Sequence, residues 1–373
     1  MAVKKVAVIG AGLAGCASAF FLSKFNNFID GNEKNVYEID LFEQDKEIAL
    51  GASGNDYGVI YPRLELNESR DSIFYRNSFD FLLDFLPTIP DIDYNQCGTF
   101  IIPAKKERLD KFIHSFQTRG HISGYKELKV SNDNALFLAN GGFLSPKKLA
   151  TNLANQSYIK VFTESNISEV TFNKEKRKWH LKINGEDRIF DLVILANSFS
   201  VNRLESTKNI FIEKVKGQVS KIAAKFIEAD IKQVICKDCY IIPKMQDNYY
   251  FGATFERNME LAEVTSQGHI DNLIKLNQIL QHLGSQTLEA STRSESLYNM
   301  HGKAGFRTYS KDRMPLIGAL DSHENLYINS CHGSRGILSA VYGGFLLAKL
   351  ICKKLNREEL SDLDTVDPNR LRL

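Results

Sequence analysis

The sequence predicts an α/β fold: a parallel sheet with helical cover, built from both ends of the chain, with a strand-rich α+β unit inserted between. Three observations carry this. The chain opens V-A-V-I-G-A-G-L-A-G, a short apolar strand followed by Gly10, Gly12 and Gly15, then by Cys16 to Leu22, small and apolar at helical spacing. A second strand, Val36 to Phe42, ends on an acid, Glu43. Near the other end a short strand, Tyr327 to Ser330, leads through His332-Gly333-Ser334-Arg335-Gly336 into a long apolar helix, Ile337 to Leu355.

In the opening segment each glycine has its own task. Gly10 permits the turn, Gly12 lets a pyrophosphate approach the backbone, and Gly15 lets helix and strand pack closely. The helix start then offers free N–H groups and its positive dipole end to phosphates. An acid at the end of the second strand holds ribose hydroxyls. Together these describe a Rossmann-type site for an adenine dinucleotide. Glu43 comes later than the usual spacing of about 20 residues. The polar stretch Asn26 to Asn35 accounts for the excess as an enlarged helix-to-strand turn. The alternative is an ordinary glycine-rich turn that binds nothing.

The 373 residues suffice for two domains. With 43% hydrophobic and 25% charged residues the composition is that of a globular protein. No apolar run is expected to approach the roughly 20 residues that a membrane span needs, and with a strand expected to start at Val3 no cleaved signal peptide is expected before it. The six cysteines are scattered, which fits reduced thiols and a cytoplasmic location better than a disulfide scaffold. A net charge of +2 neither demands nor excludes a polyanionic partner.

Along the chain, Gly51-Ala52-Ser53-Gly54-Asn55 is a loop able to bring backbone N–H groups to a ligand. Asp71 to Leu86 carries aromatics and leucines at helical spacing. Gly98 to Pro103 reads as a strand and Glu107 to Arg119 as an amphipathic helix. Ser145 and Pro146 have the N-cap and first-turn chemistry of a helix start. Lys160 to Leu195 is strand-like, with a hairpin turn at Asn184-Gly185 and a buried parallel strand over Asp191 to Asn197 that includes Ala196. Val215 to Thr254 is strand-rich, and Ile270 to Leu283 is helical. The expected division is a discontinuous dinucleotide-binding domain of residues 1–90, 142–212 and 303–373, and a substrate domain of residues 91–141 and 213–302.

Several segments then form a recognisable set: G-A-S-G-N-D-Y-G-V-I-Y-P from Gly51, G-F-L-S-P from Gly142, V-K-G-Q-V from Val215 and Y-I-I-P from Tyr240. With them go F-G-A-T-F from Phe251, G-F-R-T-Y-S-K-D-R-M-P-L-I-G from Gly305, H-G-S-R-G-I-L-S-A from His332 and D-P-N-R-L from Asp367. Over nearly its full length the chain resembles the glycine oxidase / D-amino-acid oxidase class of FAD flavoproteins. Within that class it is similar to the oxidoreductase half of the MnmC family of bifunctional tRNA wobble-uridine modification enzymes. The methyltransferase half of that family has no counterpart in this chain, so a methylation step would fall to a separate methyltransferase.

The resemblance implies a D-amino-acid-oxidase-like fold, FAD as cofactor, O2 as electron acceptor, and a tRNA anticodon loop as substrate. The wobble uridine would carry a carboxymethylaminomethyl group, in effect a glycine attached through nitrogen. Oxidation of its carbon–nitrogen bond and hydrolysis of the imine would release glyoxylate and leave aminomethyl-uridine. FAD contacts are expected at Gly10, Gly12, Gly15, Glu43, Ala52, Ser53, Gly54, Asn55, Ala196, Gly333, Ser334, Gly336 and Ile337. Arg307 sits where the resemblance places the carboxylate-binding arginine, whose fork matches two oxygens; the alternative is a surface ion pair with Asp312. Tyr240 matches a substrate-side tyrosine, or is a half-buried strand aromatic. Arg335 either supports the flavin end of the site or contacts substrate; the alternative is capping or ion pairing on the surface. Lys216 is a candidate flavin neighbour, or a solvated lysine.

Other features read plainly. Cys236 and Cys239 form a lone C-x-x-C without a second pair, so no metal site is expected, and His332 reads as a turn histidine. Two basic groups, Lys174 to Lys178 and Lys349, Lys353, Lys354 and Arg357 on the last helix, are either solvated faces or contacts to tRNA phosphates. Competing functions are a free amino-acid oxidase acting on glycine or sarcosine, a flavin-binding tRNA-interaction protein without turnover, and a NAD-linked dehydrogenase. The second glycine loop and the G-S-R-G turn disfavour the last.

Overall fold

The structure is a computed structural model, and it describes residues 3–25, 37–92, 94–103, 105–119, 128–131, 135–205, 207–290, 295–321 and 323–371. The stretch Asn26 to Asn35, read above as an enlarged turn, lies outside the described residues.

The opening strand Lys4–Ile9 lies inside a six-stranded sheet. It pairs in parallel with Tyr37–Phe42 on one side and Leu192–Leu195 on the other; Val8 lies between Leu41 and Ile194. Beyond these lie Ile159–Phe162 at one edge and Leu326–Ser330, then antiparallel Leu316–Ala319, at the other. A parallel sheet must be covered on both faces. Here Leu13–Phe25 and Gly336–Ile351 pack on one face, with Val6, Val8, Ile39, Leu41 and Ile194 in a shared core. The antiparallel meander Ile167–Asn173, Lys178–Ile183 and Glu186–Phe190 covers the other, burying Trp179 completely. Asn184 and Gly185 both have positive φ, as the two-residue hairpin turn requires.

A second sheet is built around the long strand Glu213–Ala223. Along one side it pairs with His301–Tyr309; along the other it pairs with Asn248–Gly252 and Glu256–Arg257. Tyr240–Ile241, Val234–Cys236, Thr99–Ile101, Ala135–Leu138 and Leu128–Ser131 extend it. Helix Ser266–His282 seals one face with Leu273, Leu276, Ile279 and Leu280. The strand His301–Tyr309 runs continuously through position 303, where the sequence had suggested a domain boundary.

Two expectations at the C-terminus fail. The apolar helix ends at Ile351, with Cys352 as its cap and Lys353 in a left-handed conformation (φ +54°). A separate helix, Arg357–Val366, follows, opened by an Asn356–Glu359 capping box. Lys349 and Lys353 therefore share no helix face. Residues 333–351 are also long and apolar enough to cross a membrane by length and composition, unlike the sequence expectation. Leu338, Val341, Leu346 and Leu347 of this stretch are buried inside the fold.

Candidate functional site

A cleft of about 990 Å³ opens where the two sheets face each other. One wall follows from the parallel sheet. Gly10 has φ +97°, and a side chain there would meet the Ala196 carbonyl at 2.7 Å. A Cβ at Gly15 would overlap the Gly10 carbonyl oxygen, so Gly15 serves packing and lies behind the lining. Gly12 faces the cleft, with only the Ser53 hydroxyl near its missing side chain. Glu43 accepts hydrogen bonds from the Ala11 N–H (3.0 Å) and the Asp45 N–H (3.3 Å). Burial pushes its carboxyl up, and these N–H groups oppose the shift. Ser53 accepts the Leu13 N–H at 2.9 Å, which fixes the short helical turn Ala52–Gly54 over the helix start. Gly51, Ala52, Ser53 and Asn55 line the cleft; Gly54 lies behind them, where its carbonyl accepts a bond from Lys303 Nζ at 2.8 Å.

The second wall follows from strand alternation. Tyr240 pairs with Gly252, Gly252 with Val219, and Gly217 with Gly305, while Arg307 lies opposite Val215. Alternate residues of these four strands therefore share one face. Tyr240, Gly252, Val219, Gly217, Gly305 and Arg307 all line the cleft. Burial pushes the Tyr240 hydroxyl well up, and the Arg307 charge opposes this. Arg307 Nη1 donates to the Thr254 carbonyl at 3.1 Å. The surface pair with Asp312 is not formed, because Arg370 occupies that carboxylate at 2.8 Å. Gly217 was read only as part of a motif. Its structural role is larger: a Cβ there would overlap the Arg307 guanidinium.

The same alternation corrects the reading of Lys216. One residue from Gly217, it points to the opposite face and does not line the cleft. It is neither a cleft residue nor solvated: it is 1% exposed and pairs with Glu256 at 3.2 Å.

The floor comes from the C-terminal turn. His332, Gly333, Ser334, Arg335, Gly336 and Ile337 all line the cleft. Arg335 is no surface cap: its guanidinium lies 5.4 Å from the Tyr61 ring and 5.8 Å from the Tyr75 ring. Ser334 bonds the Tyr309 hydroxyl at 2.7 Å. His332 Nδ1 meets Ser339 Oγ at 3.0 Å, and burial lowers its pKa to about 4. Cys236 and Cys239 are buried and also line the cleft. Among the described residues no group of three or more His, Cys, Asp or Glu is placed to hold a metal.

The basic groups fare differently. Lys349 is neutralised by Glu359, Arg177 by Glu324 and Lys178 by Asp191. Neither group lines the cleft.

Four buried polar atoms in the lining have no partner: Asn197 Oδ1, Asn329 Oδ1, His332 Nε2 and Arg335 Nε. Buried polar groups are rarely left unpaired, so this pattern fits a polar ligand. With the glycine turn and helix start at one end and the Gly333–Ile337 turn at the other, the cleft suits an extended dinucleotide such as FAD. Glu43 and the start of Leu13–Phe25 would hold its adenosine and pyrophosphate, and the Arg335 end its flavin.

Comparison with known proteins agrees with this geometry. The tRNA 5-methylaminomethyl-2-thiouridine biosynthesis bifunctional protein MnmC of Chromobacterium violaceum is 24% identical over 92% of this chain, which spans 56% of that relative. Among solved structures, glycine oxidase from Geobacillus kaustophilus superposes with a TM-score of 0.78 at 18% identity, covering 99% of each chain. Iminodiacetate oxidase from Chelativorans superposes at 0.72 with 16% identity over 94% of this chain and 96% of its own. At such identities the superpositions establish the fold, a D-amino-acid-oxidase-like α/β architecture. Residues 5–350, nearly the whole sequence, match the family described as FAD dependent oxidoreductase (DAO), and the chain belongs to that family of flavin enzymes.

Proposed function

We propose that this enzyme removes the carboxymethyl group from 5-carboxymethylaminomethyl-uridine at the tRNA wobble position, giving 5-aminomethyl-uridine and glyoxylate. The observation that carries this is the common face on which Arg307 and Tyr240 meet in the flavin cleft. Bound FAD would supply the acceptor for a hydride from the glycine-derived methylene C–H bond, with O2 as the final oxidant reduced to hydrogen peroxide; loss of the N–H proton to solvent leaves an imine, which water hydrolyses to glyoxylate and the amine.

The protein's part is placement. With Nη1 held by the Thr254 carbonyl, Arg307 offers its remaining donors to the substrate carboxylate. Tyr240, kept protonated by burial, donates a second hydrogen bond. Together they orient the methylene carbon, and Arg335 and the start of Gly336–Ile351 favour the negative charge that reduction brings to the flavin end. The similarity to MnmC proteins along the chain supports a tRNA-borne amine; the iminodiacetate oxidase likeness accords with a secondary amine carrying a carboxymethyl group.

The test is anaerobic mixing of the holoenzyme with an anticodon stem-loop bearing the modified uridine, and separately with sarcosine, while following flavin absorbance. Rapid bleaching by the stem-loop with release of glyoxylate is expected. Bleaching by sarcosine alone would make the protein a free amino-acid oxidase. Bleaching by neither would leave a flavin-binding protein without this activity. Arg307→Ala should weaken kcat/KM by about 2–5 kcal/mol, as for a desolvated charge pair losing one partner, and Arg307→Lys should restore only part.

A further inference from the structure

We infer that Phe255 is a stacking platform for a nucleobase that flanks the reacting uridine, with Arg257 and Arg313 placed for the adjoining phosphates; this rests on the tRNA reading above. Phe255 follows strand Asn248–Gly252 and directly precedes Glu256–Arg257. Its side chain lines the cleft, yet the residue is 44% exposed. Among the described residues, the other strongly exposed aromatics, Tyr158 and Phe211, do not line it. A core role does not account for such exposure, and a glycine-sized substrate does not need a ring of this size at the entrance.

The ring is also held. It packs on Tyr309 at a centroid distance of 6.0 Å and an interplanar angle of 52°. Tyr309 is itself buried and fixed through its hydroxyl to Ser334. The Arg257 guanidinium lies 5.7 Å from the Phe255 ring, and that of Arg313 lies 5.5 Å from the Tyr309 ring. Arg257 is exposed and pairs with the half-buried Glu213 at 3.1 Å, whereas Arg313 is exposed and pairs with no acid among the described residues. The order is therefore cation, exposed ring, buried ring, cation, and it runs outward from Phe255, which alone of the four lines the cleft whose wall holds Arg307. Aromatic faces that stack bases, beside arginines that meet phosphates, are how proteins hold unstacked single-stranded RNA. Alternating charge and π-face suits that polyanion and serves no purpose for a free amino acid.

The holoenzyme, its Phe255→Leu variant and its Phe255→Trp variant should each be titrated with the modified anticodon stem-loop. Flavin absorbance confirms that each variant is folded and loaded. Leucine keeps apolar bulk without a π-face, so Phe255→Leu should bind about tenfold more weakly, and Phe255→Trp at least as tightly as wild type. The introduced indole should be quenched on binding; the chain's single native tryptophan, Trp179, is fully buried and does not line the cleft. Equal affinity of wild type and Phe255→Leu, equal weakening in both variants, or an unquenched indole at saturation would each overturn the platform alone. Failure of the wild type to bind the stem-loop would overturn it together with the tRNA reading.

Discussion

Arg307 can lie in the cleft because position 217 has no side chain. The guanidinium occupies the space where a Cβ would stand. The obstacle is the far end of a flexible side chain, so Gly217→Ala should fold and keep its flavin while pushing the arginine aside. We expect KM for the N-substituted glycine substrate to rise on the order of tenfold, as when a charge-assisted hydrogen bond loses its geometry. Steady-state kinetics beside a flavin-content assay check this, and an unchanged KM would separate Arg307 from carboxylate binding. At this scale the sequence was partly legible. Gly10, Gly12 and Glu43 announce themselves because a glycine turn between strand and helix, and an acid closing the next strand, are signals carried by the local sequence. The role of Gly217 and the misplacement of Lys216 depend on the pairing of Glu213–Ala223 with His301–Tyr309. No local pattern carries that register.

Two helices fix the cofactor half of the cleft, and they cross at a glycine. A Cβ on Gly344 would stand 2.7 Å from the Ala17 carbonyl carbon and 2.8 Å from the Ser18 nitrogen. Close by, the buried Asn329 side chain donates to Ala14 O at 3.2 Å, Ser18 Oγ at 3.0 Å and Ala340 O at 3.3 Å. Backbone cannot yield as a side chain can, so Gly344→Ala should force the helices apart and destabilise the protein by about 1–3 kcal/mol. Chemical denaturation of the flavin-loaded protein measures it; an unchanged midpoint would mean that the crossing relaxes freely. Both helices were legible from their apolar spacing, as was the helix start at Ser145, whose hydroxyl accepts the Lys148 N–H. The end of Gly336–Ile351 was not, because apolar spacing continues to Leu355 while the chain turns at Cys352 and Lys353. The capping box at Asn356 and Glu359 was the available signal. That error placed Lys349 and Lys353 on one helix face, which the turn at Cys352 and Lys353 does not allow.

On the scale of the whole molecule, folding collects lining residues from Ile9 to Ala340 around one cleft, and this ties stability to pH through two histidines, the half-buried His332 and the buried His269. His332 lies in the lining with Nε2 unpaired, and burial holds its pKa near 4. His269, on Ser266–His282, bonds Ser220 Oγ through Nδ1 at 2.8 Å; burial and the nearby His301 lower its pKa as well. In the unfolded chain both titrate near 6.5. Above that value neither state binds the proton, and stability is unaffected by these groups. As pH falls from about 6.5 toward 4, the unfolded chain takes up protons that the folded chain refuses, so stability is lost across that window. The carboxyls of Glu43 and Asp362 are shifted upward by burial, so the folded chain takes up their protons before the unfolded chain does, and they oppose part of this loss at pH values above their ordinary range, within the same window. A comparison with a variant isolates the histidine. His332→Asn keeps an amide for Ser339 but cannot titrate, so its thermal midpoint should fall less between pH 7.5 and 5 than that of wild type. A gap between the two pKa values of this size bounds the His332 share at about 3 kcal/mol. Parallel pH profiles for the two proteins would show that His332 takes up its proton in the folded state, and that the cleft around it is wetter than its burial implies.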